Sequence, residues 1–310
     1  MDLGKLRAEF LICLPAKNMT WSKDIKFESM QQDVVAATIR NEILQKKPLP
    51  NSYIMNFMKV FMSKIEEFGG EISEVTFEAY GDILTKPVSE ITYKHYDVKG
   101  VSISLQENNT LIAEGTTGLK TWQASQRMAE YLVDDCSLLK DKHVLELGAG
   151  LGLLGLTVCS LCNCGSYLLS DHHSSVLHKL QRNIAENSNN LLCIPSVVDI
   201  DWEEVSQNGF TNSLKEKIQC VDVVLAADVV YDVKIIQPLV QTLLLIIEIM
   251  KEEGKIFVAS TIRNEATYES FLKELDEHGL VSNEVTKQSP QLFIYDKTAN
   301  ITILDITLRK

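Results

Sequence analysis

Residues 144–155 of this 310-residue chain read Val-Leu-Glu-Leu-Gly-Ala-Gly-Leu-Gly-Leu-Leu-Gly. An apolar run able to form a buried strand gives way to glycines, and a helical pattern (Leu153, Leu154, Leu156, Leu161) follows at once. Glycines at such a turn let the backbone lie against a ligand with no Cβ in between, as in nucleotide-binding α/β domains. Gly150, Gly152 and Gly155 satisfy the dinucleotide G-x-G-x-x-G spacing, so the loop by itself also fits an NAD-dependent oxidoreductase.

Other side chains fall at neighbouring expected strand ends. Asp171 closes the strand 167–170, about 20 residues past the loop, where a carboxylate can accept from a ribose diol. Its plain alternative is a helix N-cap. Glu146 precedes the first glycine. Asp201 and Trp202 follow the third strand, where an indole can cover an adenine face and a carboxylate can accept from its exocyclic amine. Ala227-Asp228-Val229-Val230-Tyr231 lies at and beyond the end of the fourth. Each has a bland reading, with Trp202 as core, Tyr231 as a half-buried ring and Asp228 as a cap. In an open α/β sheet, however, the carboxyl ends of the strands meet at one ligand crevice.

The elements that must position these residues follow from periodicity. Strand candidates at 143–147, 166–170, 193–198, 221–227 and 255–261 alternate with helices near 153–163, 173–187, 234–250 and 266–278, which predicts parallel βαβ units. Gln291–Tyr295, a turn over 296–300 and Ile301–Leu308 read as an antiparallel hairpin. The sum is an α/β, Rossmann-like seven-stranded sheet of five parallel strands plus a C-terminal hairpin. Residues 1–95 show i, i+3, i+4 apolar spacing broken at Pro48, Pro50 and Gly69-Gly70, which predicts an N-terminal helical accessory or docking domain. The second domain, 96–310, is expected to open with a β-hairpin of strands 101–105 and 111–113 turning at 106–109.

The net charge is −12, nearly all of it carried beyond residue 100. That distribution disfavours phosphate backbones as partners. No apolar run is long enough to span a bilayer, and Met1-Asp2-Leu3-Gly4-Lys5 lacks a secretory pattern, so a cytoplasmic protein without membrane contact is expected. Seven cysteines in that setting are expected to be reduced. Cys159-Ser160-Leu161-Cys162-Asn163-Cys164 lacks the second Cys/His pair of a structural zinc site, so no metal is expected.

Taken together, the motifs resemble the seven-β-strand S-adenosylmethionine-dependent methyltransferases. More narrowly, they are similar to the protein-lysine methyltransferases with Asp-x-x-Tyr after strand four, in particular the branch acting on translation elongation factor 2. The likeness is carried by Gly115-Thr116-Thr117-Gly118-Leu119-Lys120-Thr121-Trp122, by Ala226–Tyr231 and by a helical leader containing Lys64-Ile65-Glu66-Glu67. It implies S-adenosylmethionine contacts from Trp122, Gly148, Ala149, Gly150, Trp202 and Ala227, with Asp171 on the ribose. Glu146, Gly152 and Asp201 complete the expected cofactor set. Asp228 is expected to orient the substrate amine and Tyr231 to wall its channel. The implied partner is elongation factor 2, methylated on a lysine up to three times by a monomeric enzyme. Other acceptors stay open at this stage, namely another protein lysine or a small-molecule amine. So do two other classes, an NAD-dependent oxidoreductase and a non-catalytic binding module.

Overall fold

The computed structural model describes residues 1–107, 116–296 and 298–309. The chain divides into two units, Met1–Glu107 and Asn108–Lys310.

The first unit contains α1 (Leu3–Leu11), α2 (Glu28–Ala37), α3 (Ile43–Lys46), α4 (Asn51–Glu67) and α5 (Glu74–Thr85), followed by β1 (Tyr93–Val98) and β2 (Val101–Gln106). The i, i+3, i+4 apolar positions of α4 bury Phe57, Phe61 and Ile65 completely. Phe10 and Trp21 pack on these rings, Trp21 stacking on Phe61 at 5.5 Å between centroids. Buried Gln31 ties α2 to the start of α5, its Oε1 accepting from Ser73 N (2.9 Å) and Thr76 Oγ1 (3.1 Å).

The expected strand over 101–105 is present as β2, and it forms a hairpin with the preceding β1. It turns at Lys99-Gly100, both at positive φ (50° and 81°), the two-residue geometry that matches strand twist. It groups with the first unit, so the division falls after Glu107 and not near residue 95. The strand expected over 111–113 lies outside the described residues.

The second unit comprises α6 (Gln123–Asp134), β3 (His143–Leu147), α7 (Leu153–Leu161), β4 (Ser166–Asp171), α8 (Ser174–Asn187) and β5 (Ser196–Asp199). There follow α9 (Trp202–Asn208), α10 (Asn212–Ile218), β6 (Val223–Ala227), α11 (Val233–Ile249), β7 (Lys255–Thr261), α12 (Glu265–Glu277), β8 (Leu280–Glu284) and β9 (Ile301–Leu308). The sheet order is β5-β4-β3-β6-β7-β9-β8. The first five strands are parallel, and β9 is antiparallel to both β7 and β8. The seven-stranded architecture is as expected, with one exchange of strands. β8 partners β9, and residues 291–295 form no strand. Their donors are taken instead by a buried carboxylate on α6: Glu130 accepts from Leu292 N (2.7 Å), Phe293 N (2.9 Å) and Tyr295 Oη (2.7 Å).

Cys136 and Cys162 form a disulfide, with Cα atoms 5.2 Å apart, where reduced thiols were expected. It joins the turn after α6 to the end of α7. No helix among the described residues is long and apolar enough to cross a membrane.

Because β3 has β4 on one side and β6 on the other, the chain departs from β3 and β6 to opposite sides of a topological switch point, where open α/β sheets hold ligands. Glu130→Ala strands two amides and a phenol in a buried setting. The expected cost is about 2–4 kcal/mol, read by denaturant unfolding, with a midpoint within error of wild type contradicting the assignment.

Candidate active site

A cavity of about 350 Å³ opens at the carboxyl ends of β3, β4, β5 and β6, within the size range of small-molecule sites. Of the expected residues, Trp122, Glu146, Gly148, Ala149, Gly150, Asp171, Asp201, Trp202, Ala227, Asp228 and Tyr231 all line it. Gly152 does not. It caps the N-terminus of α7 with its α-carbon facing Leu180, so it serves packing and not the cavity wall.

The loop after β3 is shaped by three left-handed glycines, Gly148 (φ +64°), Gly150 (φ +55°) and, at the start of α7, Gly152 (φ +87°). A Cβ on Gly148 would stand 2.8 Å from Val229 Cγ1 and 3.4 Å from Trp202 Cη2, and one on Gly150 would stand 3.1 Å from Gly118 O. Backbone amides then fasten the loop to β4. Ala149 N–H donates to Ser170 O (2.8 Å) and Gly150 N–H to Asp171 Oδ2 (3.1 Å). The other oxygen of Asp171 accepts from His172 N (2.9 Å) and His173 N (3.4 Å). Burial raises the Asp171 pKa, and the three amide donors oppose that shift.

Glu146 is almost fully buried (2% exposed), and its carboxyl is engaged by protein groups. Tyr167 Oη donates to Oε2 at 2.7 Å, and the Gly155 amide donates as well. Desolvation pushes its pKa up to about 8 against these donors. Glu146 therefore clamps β3, β4 and α7 behind the glycine loop.

Across the cavity, Asp201 Oδ1 caps α9 through Glu203 N (2.9 Å) and Glu204 N (3.4 Å). Its Oδ2 lies 3.3 Å from His172 Nε2, and His172 Nδ1 lies 3.2 Å from Asp199 Oδ1. Trp202 sits half-buried beside Gly148, its Nε1 enclosed without a partner among the described residues. Trp122 Nε1 donates to Thr117 O (3.1 Å). Tyr231 remains 55% exposed, and its hydroxyl is hydrogen-bonded to Thr117.

Asp228 departs from its expected role. Its backbone is left-handed (φ +56°), a conformation an Asp tolerates but one that costs energy. Its carboxylate is 4% exposed and accepts from Ala124 N (3.0 Å), Thr261 N (2.9 Å), Thr261 Oγ1 (3.0 Å), Arg263 Nη1 (3.2 Å) and Arg263 Nη2 (3.4 Å). A carboxylate offers about four lone-pair positions, so this one has none to give a substrate amine. Asp228 joins the start of α6 to the end of β7.

Sequence reasoning missed His172 and His173, which line the cavity, and Arg263 beside it, and it named Thr117 and Lys120 in the 115–122 motif without placing them at the site, where both line the cavity. The two histidines were detectable as the residues directly after Asp171, at the same strand end.

The glycine cradle, the acid at the end of β4 and the indole beside Gly148 fit an adenosyl group. Comparison with known proteins agrees. A family model described as lysine methyltransferase matches residues 101–278. A mouse (Mus musculus) protein-lysine N-methyltransferase, EEF2KMT, is 30% identical over 297 residues, 92% of this chain and 87% of that protein. The human (Homo sapiens) protein of the same name is 28% identical over 318 residues, 99% of this chain and 96% of its own. A protein-lysine N-methyltransferase of Chaetomium thermophilum, EFM3, is 30% identical over 284 residues, 81% and 82% of the two chains.

Two outcomes follow. Gly148→Arg places a side chain against Val229 and Trp202 and is expected to weaken S-adenosylmethionine binding by about a hundredfold or more by calorimetry; unchanged affinity refutes the loop's role. For Glu146, the folded group holds its proton up to about 8 against an ordinary 4.5, so the folded state binds the extra proton between these values. Its contribution to stability is complete below 4.5 and is lost as pH rises through about 8. Glu146→Gln should flatten the fall of thermal stability over that window, and an unaltered slope contradicts the assignment.

Proposed function

Because this chain belongs to the lysine methyltransferase family, we propose that it methylates a lysine of translation elongation factor 2, up to the trimethylated state. Its activity is S-adenosylmethionine-dependent protein-lysine methylation. The choice of acceptor rests on one observation: the relatives named EEF2KMT align with the chain over nearly its whole length, helical unit included.

The loop Gly148–Gly150 with Trp202 and Ala227 would hold S-adenosylmethionine, with Asp171 on the ribose. When bound, that cofactor supplies a methyl group made electrophilic by its sulfonium. What the chain must do is bring a neutral amine to it, since free lysine is almost wholly protonated at neutral pH. Tyr231, exposed at the cavity, offers an aromatic face, which attracts an ammonium and its methylated forms. Alignment in a cavity that sheds water supplies rate without a dedicated base.

The same reading would put the enzyme in the cytoplasm, acting as a monomer. Recombinant elongation factor 2, incubated with the protein and S-adenosylmethionine, should gain one to three methyl groups by intact mass, on a single lysine. An unmodified factor, alongside methylation of a different protein when a eukaryotic lysate is offered instead, overturns the choice of acceptor and leaves the activity standing.

A further inference from the structure

Arg263 lies outside the motifs that first pointed to this site, yet it meets two of its principal groups. Its guanidinium pairs with both oxygens of Asp228, and its central carbon stands 4.7 Å from the centroid of the Trp122 ring. A carboxylate and an aromatic face are what would bind a protonated lysine. Here both are occupied by a cation belonging to the protein. We propose that Arg263 is a positioning residue that neutralises Asp228 and so makes the site accept lysine as its free base, an inference that rests on the lysine methyltransferase reading above.

The charges around this end support it. From the segment before α6, Lys120 brings its ammonium to 5.2 Å from the same ring. The facing residues of β7, 259–261, contribute no ionisable side chain. After β6 come Tyr231, a phenol, and Asp232, whose carboxylate accepts from Lys234 N. The acids further along the cavity are committed too, Glu146 to Tyr167, Asp171 to three amides and Asp201 to the cap of α9; Glu203 and His173 also line it, and His172 lies between Asp199 and Asp201. An entering ammonium thus meets, beside Trp122, an Asp228 already compensated by Arg263, the ammonium of Lys120 and no unpaired carboxylate. Like charge lowers an amine's pKa, so the proton passes to solvent. A guanidinium keeps its charge throughout the working pH range, so the effect is permanent.

The test is the single-turnover methyl-transfer rate of the full-length protein on elongation factor 2, followed from about pH 6 to 10 across the range where a lysine amine titrates. Arg263→Gln leaves Asp228 unopposed and should move the acid limb to higher pH by on the order of one unit. Arg263→Lys should keep the limb near its wild-type position even if the rate falls. If Arg263→Gln does not fold, Asp228→Asn gives the opposite sign, with unpaired Arg263 moving the limb to lower pH. A limb that stays in place in a folded charge-changing variant overturns the proposal, because lost packing alone lowers the rate without shifting the limb. A wild-type enzyme that methylates no lysine overturns the underlying reading and this proposal with it.

Discussion

The carboxylate of Asp228 holds together the end of the sheet where the ligand must sit. It accepts from the first turn of α6, from the backbone and hydroxyl at the end of β7, and from a guanidinium that also lies on Trp122. Placing an acid there requires a left-handed backbone, which a β-branched or bulky residue would resist. The geometry of the cavity wall therefore depends on a strained residue whose charge is fully compensated. This gives the Asp-x-x-Tyr pattern a physical meaning that differs from direct contact with the substrate. The Asp builds the wall, and the Tyr three residues on stays exposed at the cavity.

The opposite wall uses a similar device without a cation. Glu146 is buried behind the glycine loop, where its desolvation is offset by Tyr167 and the Gly155 amide. Asp171 ties the loop to β4 through backbone donors. A buried carboxyl with satisfied partners rigidifies its surroundings, while one left unsatisfied would be costly. With both walls braced in this way, the cradle between them needs few groups of its own to bind a nucleoside.

Much of this was legible in the amino-acid order. The central parallel strands announce themselves as short apolar runs, and the glycines and acids at their ends mark the crevice because the side-chain types have few other uses there. What was not legible is long-range. Ala124 and Arg263 lie 104 residues before and 35 residues after Asp228, and no local pattern pairs them. Residues 291–295 have strand-like composition, but Glu130, about half a chain away, takes the donors that a ladder would need. The pairing of β2 back onto Tyr93–Val98 through Lys99-Gly100 is not legible, because the alternation of apolar and polar residues becomes plain only from Val101 onward. Gly152 satisfied a motif whose spacing concerns helix packing as much as ligand contact.

The central claim is that this cavity delivers a methyl group to a lysine nitrogen. It is tested most directly by total hydrolysis of protein labelled from methyl-tritiated S-adenosylmethionine, followed by amino-acid analysis. The account predicts that the label co-elutes with ε-N-methylated lysines and vanishes when the Gly148→Arg protein replaces the wild type. Label recovered in another amino acid or in nucleotides, or none from wild-type enzyme that binds the cofactor, would contradict it.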